Sequence, residues 1–351
     1  MELVMGRSRT EQIRSFLIRG IADKRRDVVA SAARRFGITR QAINHHLQQM
    51  VAGGYLVAAG NTRGRTYSLP VLGDVFFAVR NGPGASEDQV WREGLAEELA
   101  SLPKNVGDIC HYGFTEMFNN AMEHSGTDTI TVRMIRTAAM IEITVIDGGI
   151  GVFRKVKEGL QLADEREAIL ELAKGKATTD PTKHTGEGIF FSSRMFDEFC
   201  MLSGRLFFSH EYLGDDWLIE SKAENCSGTT VRMRIAPWAT RTMRVVFAAY
   251  AAEKDDYGFS RTHVPVSLLP IGHENLISRS QAKRLLARFD RFQEVMLDFH
   301  GVNSIGQSFA DEVFRVFRNQ HPAVRISWVH AAPEVEQMIK RAMKASLNPT
   351  T

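Results

Sequence analysis

Three short stretches hold side chains whose types and spacing could do chemistry. In "VGDICHYGFTEMFNNAMEHSG" (106–126), Glu116 and Asn120 stand four residues apart, so on a helix they lie one turn above each other. A carboxylate there can orient a water, and an amide oxygen one turn away can coordinate Mg²⁺, an ion that prefers hard oxygen ligands and shares them with phosphates. Alone, the pair fits a surface pair better. In "IEITVIDGGIGV" (141–152), an apolar run ends in Asp147, followed by Gly148, Gly149 and Gly151. An Asp at a strand end can accept a hydrogen bond from an exocyclic amine, and the glycines let a flat base approach the backbone. In "KHTGEGIFFSSRMFDEF" (183–199), Gly186 and Gly188 run straight into an apolar helical pattern. A Gly-rich turn at a helix N-terminus offers N–H groups and a positive dipole end to phosphates.

These residues need a scaffold to bring them together. Phe114, Phe118, Ala121 and Met122 predict a helix around Glu116 with one buried face. A strand before Asp147, a helix after Gly188 and a strand over "CSGTTVRMRI" (226–235), with Gly228 and Thr229 at its start, complete the frame. Between the second and third stretches lie Lys174, Lys176, Thr178, Thr179, Lys183 and His184, read as a mobile lid. A dinucleotide turn would need Gly-x-Gly-x-x-Gly, and a Walker loop Gly-Lys-Ser/Thr; neither is present.

In this order the four stretches resemble the GHKL superfamily of Bergerat-fold proteins, which includes gyrase-type topoisomerases, heat-shock chaperones, histidine kinases, mismatch-repair ATPases and anti-sigma-factor kinases. "TEMFNNAMEHS" looks like the N box, "DGGIG" and "TGEGIF" like the two glycine boxes, and "SGTT" like the closing Gly-Thr motif. The resemblance spans about 130 residues. It implies bound ATP and Mg²⁺. Glu116 would be the water-orienting or general-base residue, Asn120 the Mg²⁺ ligand and Asp147 the adenine reader. Gly149 and Gly151 would shape the base pocket, Thr185, Gly186 and Gly188 the phosphate turn, and Thr229 a contact near the base. Histidine kinases usually carry Asn where Glu116 stands, and no upstream dimerising helix with a phospho-accepting His is visible: His111 falls in the pocket helix. ATP hydrolysis, Ser/Thr phosphorylation and simple ligand gating stay open.

The first 70 residues hold twelve Lys/Arg against four acids, a balance of +8 in a chain of net charge +3. That places the basic charge in one block and points to a polyanion partner for it. Helices are expected over about 10–23 and 27–36. Gly37 is a C-cap and Thr39 an N-cap for a third helix that buries Ile43, Leu47 and Met50 and presents Arg40, Gln41, Asn44, His45 and Gln48. Two short strands flank the turn Asn61-Thr62-Arg63-Gly64. This order resembles the winged helix-turn-helix of bacterial transcription regulators. The resemblance implies double-stranded DNA as partner, read by Arg40, Gln41, Asn44 and His45 beside His46, with Arg63 and Arg65 on a wing.

The C-terminal stretch alternates strand and helix: "EVMLDFHGVNSIGQSFADEVFRVFRNQ" (294–320), "VRISWVHA" (324–331) and "PEVEQMIKRAM" (333–343). It resembles the STAS fold of anti-anti-sigma factors, in particular STAS-like domains of unknown function beside GHKL modules. The family's phospho-accepting Ser falls at Gln307. Ser308 follows directly and Ser304 lies three earlier. Ser308 reads either as phospho-acceptor or as a helix N-cap with Asp311 at the capping-box position.

The whole is expected to be a multidomain α+β chain. A winged helix-turn-helix (8–72) precedes a GHKL α/β sandwich with a mixed sheet and helices on one face (73–238). A linker helix (239–259) then leads to a STAS-like α/β domain (260–347). The scattered Cys110, Cys200 and Cys226 argue against a disulfide framework or zinc site and for a cytoplasmic protein. No apolar run of about 18 residues suggests a membrane span, and Arg7 and Arg9 lack the apolar stretch of a signal peptide. The combination is expected to act as an ATP-responsive transcription regulator. A Ser/Thr kinase acting on a STAS domain is the alternative. A STAS or sigma-factor-type protein and a second copy of the chain are further candidate partners.

Overall fold

The computed structural model describes residues 8–61, 64–82, 84–178, 185–212, 214, 216–221, 226–251, 258–269 and 275–347. The chain opens with α1 (Arg9–Ala22), α2 (Val28–Phe36) and α3 (Arg40–Ala52). Ser8 and Glu11 close a capping box on α1, and Thr39 Oγ1 accepts the Ala42 N–H on α3. Gly37 ends α2 in the left-handed conformation expected of it. Strands β1 (Val57–Ala59) and β2 (Thr66–Ser68) pair antiparallel. Ile13, Leu17, Val28, Ala32, Ile43, Leu47 and Met50 form a core of their own. Ala138 joins that core, and Ala139 and Trp238 pack against it.

Next come β3 (Gly73–Arg80), α4 (Glu87–Gly94), α5 (Ala96–Leu99) and the long α6 (Lys104–His124). Helices α4 and α5 are separated only by Leu95. The break follows Gly94, where a Cβ would stand 2.6 Å from the Phe77 ring. The chain continues through β4 (Thr129–Arg136), β5 (Ile141–Asp147), α7 (Val152–Leu160), α8 (Glu165–Lys174) and α9 (Gly188–Met195). Strands β6 (Glu198–Gly204), β7 (Leu206–Glu211), β8 (Trp217–Glu220) and β9 (Cys226–Ile235) follow.

Among the described residues, seven strands form one sheet in the order β3-β4-β5-β9-β6-β7-β8, with every neighbouring pair antiparallel. The expectation of a mixed sheet is corrected here. The helical crossover from β5 to β6 does set those two strands parallel, but β9 enters between them and pairs antiparallel with both. Strands β5 and β9 alternate: Ile141, Ile143 and Val145 face Val231, Met233 and Ile235 on the covered side, beneath Phe114, Met117 and Phe118 of α6. Burying each such phenylalanine contributes roughly 1.5–3 kcal/mol.

Helix α10 (Met243–Ala249) lies in the stretch expected as a linker, and its Val246 is buried in the same core. Residues 252–257 of that stretch are outside the described residues. Three parallel strands follow in the order β10 (Arg261–Pro265), β11 (Glu294–Asp298), β12 (Arg325–Val329). Helix α11 (Arg279–Leu286) lies between the first two. Helix α12 (Gln307–Asp311) runs through a π-helical stretch (Glu312–Phe317) into α13 (Arg318–Gln320), and α14 (Pro333–Leu347) closes the chain. The result is a mixed α+β protein with an antiparallel seven-stranded sheet and a parallel α/β region at the C-terminus. No described helix is long and apolar enough to cross a membrane.

Candidate functional site

Asp147 occupies the last covered position of β5, where the alternation Ile141, Ile143, Val145 would place another apolar residue. The residue is 8% exposed. Oδ1 accepts the Gly149 N–H at 2.9 Å and the Thr229 N–H at 3.3 Å. Burial raises the Asp147 pKa above the ordinary carboxylate value, against the pull of these two amides and the Thr229 hydroxyl. Thr229, cross-strand from Asp147, also accepts the Val152 N–H through Oγ1 at 3.0 Å and so ties β9 to the start of α7.

The glycine turn is stitched to the end of α6. Ser125 Oγ donates to the Ala121 carbonyl at 2.5 Å, and the Ser125 carbonyl accepts the Ile150 N–H at 3.1 Å. At Gly149 a Cβ would fall 2.0 Å from that Ser125 carbonyl oxygen, so only glycine allows the approach. This contact fixes the Asp147 turn against the helix carrying Glu116 and Asn120.

A cleft opens between these elements. Its cavity volume is about 150 Å³. Of the residues singled out from sequence, Glu116, Asn120, Asp147, Gly151, Thr185, Gly186, Gly188 and Thr229 line it. Gly149 supports it from behind. Gly186 takes φ +73°, and a Cβ there would lie 2.6 Å from the Ala177 backbone. Gly188 is the first residue of α9 and packs directly on the Glu116 side chain.

Several lining residues were not singled out from sequence: His124, Lys155 and Ala177; Glu187, within the expected glycine turn, also lines it. Lys155 could have been found, because it sits one helical turn beyond Gly151. Burial raises the Glu187 pKa, opposed by the charge of Lys176. Burial likewise lowers that of Lys176, opposed by Glu187 and reinforced by Arg291. Tyr112 stays protonated: burial pushes its hydroxyl up, and the charges of Glu116 and Glu187 add to that. No cluster of three or more His, Cys, Asp or Glu among the described residues is arranged to hold a metal ion by itself. Glu116 and Asn120 would therefore meet Mg²⁺ only alongside ligand oxygens and water, which is how that ion is usually bound. Most of the stretch expected as a mobile lid folds instead as α7 and α8, with Lys174 buried at the end of α8; residues 179–184, with Thr179, Lys183 and His184, lie outside the described residues.

On α3, Arg40, Gln41, Asn44 and His45 are exposed on one face, and His45 Nε2 lies 2.9 Å from Gln49 Nε2. His46 is not part of that face. It is half-buried, and burial first, then Arg14 and His45, lowers its pKa. Arg65 is exposed beside β2, while Arg63 is outside the described residues.

In the C-terminal region the N-cap reading of Ser308 is corrected. The cap is Gly306, with no side-chain cap bond, and Ser308 is the second helical residue. Asp311 binds Arg315 at 2.5 Å instead of closing a capping box. Ser304 and Ser308 are both exposed, and neither lines the cleft.

Residues 281–336, from α11 into α14, match the model of the STAS-like domain of unknown function (DUF4325). The chain thus carries a C-terminal STAS-like domain. Among curated proteins no match was found.

Proposed function

We propose that the chain is an ATP-binding, DNA-binding transcription regulator, in which a GHKL-type domain (73–238) is coupled to a winged helix-turn-helix (8–72) and to the STAS-like domain (260–347). One observation carries the reading: a buried acceptor, Asp147, lines the same cleft as Glu116, Asn120 and the Gly186–Gly188 turn. An ionised carboxylate only accepts hydrogen bonds, so it favours the 6-amino group of adenine over the 6-oxo group of guanine. The start of α9 presents N–H groups toward the phosphate end. Glu116 and Asn120 then stand where a Mg²⁺ shared with phosphates would be met.

Three helices and a β-hairpin, with an exposed Arg40-Gln41-Asn44-His45 face and a +8 charge balance, support DNA as the partner of the first module. Coupling has a physical route. Ala138 and Ala139, in the β4–β5 turn, are packed into the N-terminal core. From that turn β5 runs directly to Asp147, a rigid span of roughly 20 Å.

A Ser/Thr kinase acting on its own STAS-like domain is less well supported, since Ser304 and Ser308 lie outside the cleft lining. The deciding experiment is DNA-binding titration of the full chain without nucleotide, with ADP and with a non-hydrolysable ATP analogue, alongside Asp147→Ala. The proposal expects DNA affinity to depend on nucleotide state in the wild type only. Identical affinities in all states would sink the coupling.

A further inference from the structure

Two segments that line the cleft are tied to the STAS-like region, one by direct hydrogen bonds and the other through Phe259, the residue just before it, which packs on Phe292. Lys174, the last residue of α8, is 1% exposed. Its Nζ donates to Glu171 Oε1 at 2.6 Å and to the carbonyls of Arg284 and Ala287, at the end of α11, at 3.2 and 3.1 Å. The other oxygen of Glu171 accepts from Arg288 at 2.7 Å, and Arg284 binds Glu167 at 3.2 Å. The Lys174 carbonyl accepts the hydroxyl of buried Thr262 on β10 at 2.6 Å. One residue on from Gly175, Lys176 and Arg291 exchange two bonds, Nζ to carbonyl at 3.0 Å and guanidinium to carbonyl at 3.1 Å. Ala177 and Thr178, the very next residues, line the cleft.

The path between lock and cleft is stiff. Gly175 and Lys176 both have positive φ, +83° and +56°, and a Cβ at Gly175 would strike the Phe259 ring at 2.5 Å. A lysine in that conformation persists only where its surroundings fix it. Here Phe259 and Phe292 flank the ammonium at 5.4 and 4.9 Å. The same Phe259 stacks on Phe190 and Phe191 of α9, with centroids at 4.6 and 5.0 Å. Helix α9 begins at Gly188, which also lines the cleft. One aromatic cluster therefore fixes both segments that border the phosphate turn.

We infer that Lys174 and Lys176 are positioning residues, and that the STAS-like domain sets the geometry of the nucleotide cleft through them. The inference rests on the proposed ATP-binding reading for its functional half. Any partner or modification that displaces the α11 end or the Arg288–Arg291 segment then changes nucleotide affinity. Bound nucleotide, by reciprocity, changes that surface.

The test uses the full chain with Arg284→Ala/Arg288→Ala. Arg291→Gln, at an exposed site, removes one bond to the Lys176 carbonyl and serves as a second, milder variant. Amide exchange without nucleotide is expected to rise at 175–178 and 185–188 in both variants, with a single unfolding transition retained. ATP affinity is expected to fall about threefold or more, with Arg288→Lys restoring it. Unchanged exchange at those segments overturns the positioning claim. Raised exchange with unchanged ATP affinity overturns its functional half. A wild-type chain that binds no ATP refutes the underlying reading, while the exchange arm still decides the positioning claim.

Discussion

Replacing Asp147 by Asn separates recognition from scaffolding. Oδ1 of Asp147 holds the Gly149 and Thr229 amides, and an Asn carbonyl oxygen can take over both. Burial disfavours the Asp147 charge, so Asn also removes a desolvation cost. Unfolding free energy should therefore change by less than about 1 kcal/mol. What Asn cannot do is offer a second acceptor: its amide NH₂ would oppose the donor of an adenine. Losing a hydrogen bond to a charged group costs about 1.5–3 kcal/mol, which is roughly a 10- to 150-fold weaker dissociation constant. Isothermal titration of wild type and variant with a non-hydrolysable ATP analogue measures this, with urea melts as the control. A variant that folds normally and binds the analogue as tightly as wild type would refute Asp147 as the base reader.

Three other outcomes follow from the same geometry. In Gly188→Ala, the new Cβ falls 2.0 Å from Glu116 Oε2 and must displace the carboxylate; if the wild type turns ATP over, steady-state assays should show that rate falling at least tenfold while analogue affinity changes by less than threefold. Because burial raises the Asp147 pKa above 3.8, its proton is held more tightly folded than unfolded. The neutral form's stabilising contribution is complete below 3.8 and is lost as pH rises through the folded value. Recognition needs the ionised form, so ATP affinity should weaken as pH falls toward that window, and titrations at several pH values should show no such trend in Asp147→Asn. Arg40 is exposed on α3, so Arg40→Ala should lower the slope of log affinity for DNA against log salt by about 1.

Much of the cleft was legible because its residues are locally punctuated. Asp147 ends an apolar run, glycines follow it, and Glu116 and Asn120 share a helical spacing. The caps at Thr39 and Gly37 were readable for the same reason. Other features left no local trace. The sheet order depends on β9 entering between β5 and β6, a choice made by long-range pairing. The lock joining Glu167, Glu171 and Lys174 to Arg284 and Arg288 links residues more than 100 positions apart, and an isolated Lys in a polar stretch gives no hint of burial. His46 resembled its neighbour His45 in type, and only helix phase separates the half-buried ring from the exposed one. Ser308 carried the spacing of a cap, but the chain turned into the helix two residues earlier, at Gly306.

The most direct test of the central claim is a titration of the full wild-type chain with ATP and with GTP, each with Mg²⁺. The proposed reading predicts saturable binding of one ATP per chain and markedly weaker binding of GTP, whose 6-oxo group faces the Asp147 carboxylate acceptor to acceptor. No ATP binding at millimolar concentration, or equal affinity for the two nucleotides, would contradict it.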